Sequence, residues 1–284
     1  MFDRLSRSWH LIKASASVLI EDKTLILFPL ISSVAALAVV ACFALPMFTL
    51  GALDGLAHGR SGPVATSHYV IGFLFYLSQY FVIFFCNTAL VGAAMKLLDG
   101  ESPTLGDGFR IAGSKVYAIL GYAAVAATVG IILRAIQERV GFIGRIIAGL
   151  LGMGWTLATY LVVPVLVAKD VGPIEAIKES ASLFKRTWGE NVIGQAGLGF
   201  AFGLIYLGVI MGCVMLILVA AMAHSVALAV LIGVAAICAL VITSLVHAAL
   251  TGIYAAALYR YATDGTGAHG FDSQALKMAF QPKP

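Results

Sequence analysis

Six long apolar stretches run through this chain of 284 residues and leave few alternatives for its fold. A membrane-spanning helix needs about 20 mostly apolar residues, and each stretch is close to that length or exceeds it. The stretches cover residues 24–50, 69–97, 116–133, 146–168, 192–222 and 226–258. Because a segment in lipid must satisfy its backbone polar groups internally, such stretches predict helices. The sequence therefore predicts an all-α fold, a polytopic membrane helix bundle of about six transmembrane helices.

The composition is that of a chain surrounded by lipid. Hydrophobic residues make up 61% of the chain and charged residues 11%, with a mean hydropathy of +0.97. A soluble domain is typically about 45–50% apolar and about 25% charged. We therefore expect a single transmembrane domain over residues 1–262, followed by a short cytoplasmic tail over residues 263–284. The net charge of +4 is too small to indicate a nucleic-acid partner.

Lysine and arginine predict the orientation of the chain in the membrane. Both termini and the loops after the second and fourth stretches carry 14 of the 18 lysine and arginine residues. We call the side of the membrane with these segments the basic side. Loops rich in lysine and arginine stay in the cytoplasm, so both termini are predicted to be cytoplasmic.

A short amphipathic segment on the basic side precedes each of the three predicted helix hairpins. These segments cover residues 2–20, 104–116 and 172–188. In the third, Ile174, Ile177, Ala181 and Phe184 repeat at helical spacing, and Pro173 suits a first helical position. Two interpretations stay open for these segments: cytoplasmic helices that lie in the membrane interface, or connector helices packed on the bundle.

Two further patterns concern the shape and packing of the membrane helices. Pro164 lies inside the fourth stretch and predicts a kink, because proline lacks an N–H and crowds the preceding turn. Gly199 with Gly203, and Gly208 with Gly212, give spacings that favour close helix contacts. The partner in those contacts is either the same chain or another copy.

Few residues in the apolar stretches could carry chemistry. The sequence has no Gly-rich phosphate loop, metal-spaced histidine pair, nucleophile elbow or intramembrane carboxylate pair. We therefore expect no catalytic, cofactor-binding or metal-binding residues, no cofactor and no enzymatic activity. Asn87, Thr88, Thr243 and His247 are candidates for a polar path, because polar residues in membrane helices often mark one. Hydrogen bonds between helices are the alternative interpretation.

A second candidate site is a basic cluster around the connection between the third and fourth stretches. Arg134, Arg139 and Arg145 could contact an anion or the headgroups of lipids. The alternative is that these long side chains anchor two helix ends by reaching the headgroup level.

Three segments resemble a known family. They are SWHLIKASASVLIEDKTLILFPLIS, NTALVGAAMKLLDGESPTLGDGF and RAIQERVGFIGRIIAGLLGMGWTLATYLVVPVLVAKDVGPIEAIKESASLFKRTWGE. Over about residues 2–261 the chain resembles bacterial multi-pass membrane proteins known only as a domain of unknown function. This resemblance implies a location in the bacterial cytoplasmic (inner) membrane and brings no catalytic residues. The layout alone is also similar to the membrane domain attached to some glycerophosphodiester phosphodiesterases, but these 284 residues contain no phosphodiesterase domain.

These observations favour a non-enzymatic integral membrane protein that organises lipid or a partner protein. The expected partners are membrane lipids and either a second copy of the chain or another membrane protein. The alternative is a small channel or transporter. Ion-coupled carriers commonly use buried carboxylates, and the absence of acidic residues from the apolar stretches argues against coupling of that kind.

Overall fold

The computed structural model of the protein confirms the all-α fold. It describes residues 16–20, 22–49, 66–139, 141–186, 188–222 and 226–264, and the regular elements there are all helical. The helices are α1 (Leu27–Thr49), α2 (Thr66–Leu98), α3 (Leu105–Ser114), α4 (Val116–Arg139), α5 (Gly141–Thr159), α6 (Val162–Ala168), α7 (Pro173–Arg186), α8 (Trp188–Met222) and α9 (Val226–Asp264). A 3-10 turn, Lys23–Ile26, precedes α1.

Six segments of the described chain are long and apolar enough to cross a membrane. They are Lys23–Ala44, Val70–Leu98, Val116–Gln137, Gly144–Ala168, Gly197–Ala220 and Val226–Arg260. Each overlaps one of the six predicted stretches, which confirms the prediction of a multi-pass helical membrane protein. The fourth segment differs from a simple span because it consists of two helices, α5 and α6, separated at residues 160 and 161.

The second and third amphipathic segments form helices α3 and α7, as predicted. Helix α3 begins with a capping box, in which the Thr104 hydroxyl accepts the Asp107 N–H at 3.2 Å and the Asp107 carboxylate accepts the Thr104 N–H at 3.0 Å. Helix α7 begins at Pro173, the predicted first position. Of the first segment, residues 16–20 are helical and the rest lies outside the described residues, as does the predicted tail from residue 265.

The contacts divide the chain into two compact units, which are described separately. Unit 1 consists of the described residues within 1–26, 94–101 and 187–284, and unit 2 of those within 27–93 and 102–186. Helix α2 therefore gives most of its length to unit 2 and its last turns to unit 1. The single domain over residues 1–262 stays a prediction.

In unit 2 the buried side chains concentrate at the helix ends that adjoin the basic side. Thr88 and Val91 near the end of α2 and Ile119 near the start of α4 are fully buried. In the other halves of the membrane helices, large apolar side chains are exposed, such as Val70 (51%) on α2 and Ile132 (53%) on α4. Apolar side chains of a membrane helix that contact no protein are covered by lipid.

Unit 1 shows the same contrast within single helices. Helices α8 and α9 pack against each other, and the last third of α9 is buried, including Ile253, Tyr254 and Leu258. The first half of α9 instead exposes its apolar side chains, such as Leu231 (67%) and Ile237 (63%). Each unit thus has a packed end and an exposed apolar surface.

Substitutions at two glycines of α3 can test how tightly this helix packs in unit 2. A Cβ on Gly108 would lie 2.6 Å from Cζ of Phe28 and 2.7 Å from the Ala89 carbonyl oxygen, whereas a Cβ on Gly113 meets nothing within 4 Å. We expect Gly108→Ala to destabilise the protein by about 1–3 kcal/mol through overpacking. Gly113→Ala should be neutral or stabilising by up to about 1 kcal/mol, because alanine favours helix. Thermal unfolding in detergent measures both variants, and equal melting temperatures would contradict the described packing of α3.

Candidate functional site

At the interface between α2 and α4, Arg134 of the basic cluster contacts the first of several tyrosines. The guanidinium of Arg134 donates a hydrogen bond to the Tyr76 hydroxyl at 2.8 Å. One turn closer to the basic side on each helix, an ideal Cβ on Gly130 would lie 3.3 Å from the Tyr80 hydroxyl. Residues four apart share a helix face, so these two contacts fix an antiparallel register between α2 and α4. Gly130 leaves room for the Tyr80 side chain, and Tyr76 orients Arg134.

The same interface continues towards the basic side through aromatic rings and hydroxyl groups. The ring of Phe84 stacks on Tyr122 with centroids 4.4 Å apart. The Tyr122 side chain lies near Thr159 of α5, whose hydroxyl donates to the Trp155 carbonyl at 2.8 Å. Tyrosines on one face of α2 and α4 therefore line the contact among three membrane helices in unit 2. The sequence analysis missed them because a tyrosine in an apolar stretch is typical of an ordinary membrane helix.

The four candidates for a polar path lie in two different units. In unit 2, Thr88 is fully buried and donates its hydroxyl to the Phe84 carbonyl of its own helix at 2.7 Å, and Asn87 beside it is half-buried. In unit 1, the Thr243 hydroxyl donates to the Ala239 carbonyl at 2.8 Å. Both threonines thus bond within their own helix. The polar path stays a prediction.

His247 connects α9 to α8 through its ring. The imidazole stacks on Phe202 with centroids 4.3 Å apart and an interplanar angle of 13°. Tyr206, one turn further along α8, meets the same imidazole edge-on at 6.1 Å. This arrangement gives His247 a packing role between two membrane helices in unit 1.

The other two members of the basic cluster lie at the end of α4 and near the start of α5. Arg145 is exposed on α5, and the side chain of Arg139 lies outside the described residues. The structure therefore places Arg134 on Tyr76. The contact of the three arginines with an anion or a lipid headgroup stays a prediction.

The break between α5 and α6 holds a serine that the sequence analysis did not single out. Pro164 has no N–H to bond the carbonyl of residue 160, so the predicted kink is confirmed as an interruption of the helix. The hydroxyl of Ser180, from α7, accepts the Leu161 N–H at 3.0 Å and donates to the Ala158 carbonyl at 2.7 Å. Ser180 is fully buried. One side chain thus satisfies a backbone donor and a backbone acceptor at the break.

Further contacts hold α7 against the other helices of unit 2. Lys169 pairs with Glu179 across the turn between α6 and α7. Lys115 donates to the Asp170 carboxylate and to the Lys169 carbonyl, both at 3.0 Å. An ideal Cβ on Gly121 of α4 would lie 2.8 Å from Cγ of Pro173, so the start of α7 touches α4 directly. Helix α7 is therefore a packed part of the bundle, as one of the two interpretations of the sequence proposed.

Two serines of α7 provide a matched test of the junction. Ser180→Ala leaves the Leu161 N–H and the Ala158 carbonyl buried without the hydroxyl, which should cost about 1–3 kcal/mol. Ser182→Ala removes an exposed hydroxyl that donates to the Glu179 carbonyl at 3.1 Å, and should change stability by less than about 0.5 kcal/mol. Thermal unfolding in detergent compares them. If both variants unfold at the wild-type temperature, Ser180 does not support the break.

Comparison with known proteins places the chain in a family. A family model described as a family of unknown function, DUF6159, matches residues 66–271, from the first residue of α2 to beyond the end of α9. No curated protein and no solved structure matches the chain. The matched range covers most of the sequence and agrees with the resemblance to a multi-pass family. The chain therefore belongs to the family of unknown function DUF6159.

Proposed function

We propose that the protein is a non-enzymatic membrane protein that organises lipid around its transmembrane helices. We also propose that it lies in the cytoplasmic membrane of bacteria with both termini in the cytoplasm, as the distribution of lysine and arginine predicts. The alternative is a small channel or transporter.

The observation that carries this proposal is the apolar surface of α8 and α9. Of the most apolar 18 residues in each membrane segment, 6% are buried in α8 and 0% in α9, compared with 56% in α2. Leu216, Ile217 and Leu218 follow one another on α8 and are 53%, 40% and 55% exposed. Successive helical residues point about 100° apart, so this part of α8 is open on several sides. A surface of this kind in a membrane is covered by acyl chains.

The interior polar residues support lipid organisation over transport. The hydroxyls of Thr88 and Thr243 donate to carbonyls of their own helices. The His247 ring is stacked on Phe202. Side chains engaged in helix packing contribute less to a path for water or ions than side chains that line a cavity.

Tryptophan fluorescence in bilayers can test whether lipid covers α8. The three native tryptophans are first replaced by phenylalanine, and one tryptophan is then introduced by Leu216→Trp, at a position 53% exposed. Phospholipids with brominated acyl chains quench tryptophans that they touch. We expect strong quenching of Leu216→Trp, because no described residue shields this position.

The control for this test is Phe202→Trp, a buried position on the same helix that contacts His247. We expect it to be quenched only weakly. If Leu216→Trp is protected as well as Phe202→Trp at low protein density, protein covers this surface. A second copy or a partner protein would then replace lipid as the main neighbour of α8.

A further inference from the structure

We propose that α7 carries a binding site for the phosphate headgroups of anionic phospholipids, formed by Lys178 and Lys185 beside Ile174 and Tyr117. This site rests on the proposed lipid-organising function and names the lipid class and the residues that would select it.

The two lysines and Ile174 form one exposed stripe along α7. At about 100° per residue, positions 174, 178 and 185 lie within about 40° of each other around the helix axis. All three side chains are exposed, Ile174 by 50%. The opposite face is buried through the apolar residues Ala176 and Leu183 and through Ser180. Helix α7 therefore has an apolar face held by protein and a stripe with two cations and one apolar side chain pointing outwards.

Both acidic residues of α7 are engaged in contacts away from the stripe. The carboxylate of Glu175 accepts the Gly172 N–H at 3.3 Å and so caps the helix. Glu179 pairs with Lys169. In the part of the chain that the structure describes, no ion pair includes Lys178 or Lys185. The stripe is therefore positively charged, although α7 as a whole contains acids and bases.

The position of the stripe corresponds to the headgroup level of the bilayer. Pro173 touches α4 at Gly121, and Tyr117 lies one turn earlier on the same face of α4. Tyr117 is 88% exposed in the second position of this membrane helix. Tyrosines are enriched at membrane–water interfaces, where the ring contacts acyl chains and the hydroxyl stays hydrated. The stripe thus begins close to an aromatic residue that is typical of that level.

A phosphate attached to acyl chains fits this surface better than free phosphate. The lysine ammonium groups attract the phosphate charge, while the exposed Ile174 and Tyr117 have no counterpart in an inorganic ion. A lysine close to an anionic membrane surface strengthens binding about fivefold. The two lysines together should therefore enrich anionic over zwitterionic phospholipid beside α7.

Tyr117→Trp, in the background without native tryptophans, places a fluorescent reporter beside the stripe. The protein is reconstituted in phosphatidylcholine vesicles that contain brominated phosphatidylglycerol in increasing proportion. Quenching against lipid composition gives the binding preference for the anionic lipid at this position. We expect a preference for phosphatidylglycerol that falls about fivefold with Lys178→Gln and about fivefold with Lys185→Gln. Added inorganic phosphate should leave it unchanged.

Arg110→Gln is the matched charge control. Arg110 is an exposed cation on α3 in the same unit, and it pairs with Asp107 at 3.3 Å, which offsets its charge. We expect this variant to change the preference less than about twofold, since Arg110 lies on α3 and is not part of the stripe. An equal effect of Arg110→Gln and the lysine variants would overturn the site, because the preference would then reflect total charge alone.

Three other results would also overturn the proposal. They are the absence of any preference for phosphatidylglycerol, displacement of that preference by inorganic phosphate, and protection of Tyr117→Trp from every brominated lipid, which would indicate a protein neighbour. The Leu216→Trp reporter in the same vesicles distinguishes failure of the headgroup site from failure of the proposed lipid-organising function. Quenching at position 216 without anionic preference at position 117 removes the headgroup site and leaves the lipid-organising function standing.

Discussion

The hydrogen bonds of Ser180 at the break between α5 and α6 are the interaction on which the architecture of unit 2 depends. Helix α5 has 19 residues and a length of about 28 Å, close to the hydrocarbon thickness of about 30 Å. It is therefore long enough to cross most of the bilayer core before the chain reaches the break. The apolar residues of α6 beyond the break, Val162–Leu166, are buried in protein and do not face lipid.

This junction explains how an amphipathic helix becomes part of a membrane bundle. A buried backbone N–H or carbonyl without a hydrogen bond raises the free energy of the folded state. The Ser180 hydroxyl pairs one such donor and one such acceptor. The ion pairs around it, Lys169 with Glu179 and Lys115 with Asp170, are partly exposed and contribute little to stability. Their role is to hold the connecting turns in one arrangement. The outward face of α7 is then fixed with respect to α4 and α5.

The sequence predicted the elements of the fold well and their contacts poorly. The six membrane segments were predictable because lipid imposes one length and one type of backbone structure. Pro164 predicted the interruption of the fourth helix, but its partner Ser180 comes from a later helix and meets the break only through tertiary packing. The row of Tyr76, Tyr80 and Tyr122 was missed because its meaning depends on the register between α2 and α4. For the same reason, the stacking of His247 on Phe202 could not be predicted from spacing.

Spin-labelled phospholipids test most directly the proposal that this protein organises lipid. Electron paramagnetic resonance of reconstituted vesicles separates mobile lipids from lipids whose motion is restricted by protein. We expect a large restricted component that grows with protein content and is larger for a spin-labelled anionic lipid than for spin-labelled phosphatidylcholine. A spectrum that matches protein-free vesicles, from correctly folded and inserted protein, would contradict lipid organisation by this protein.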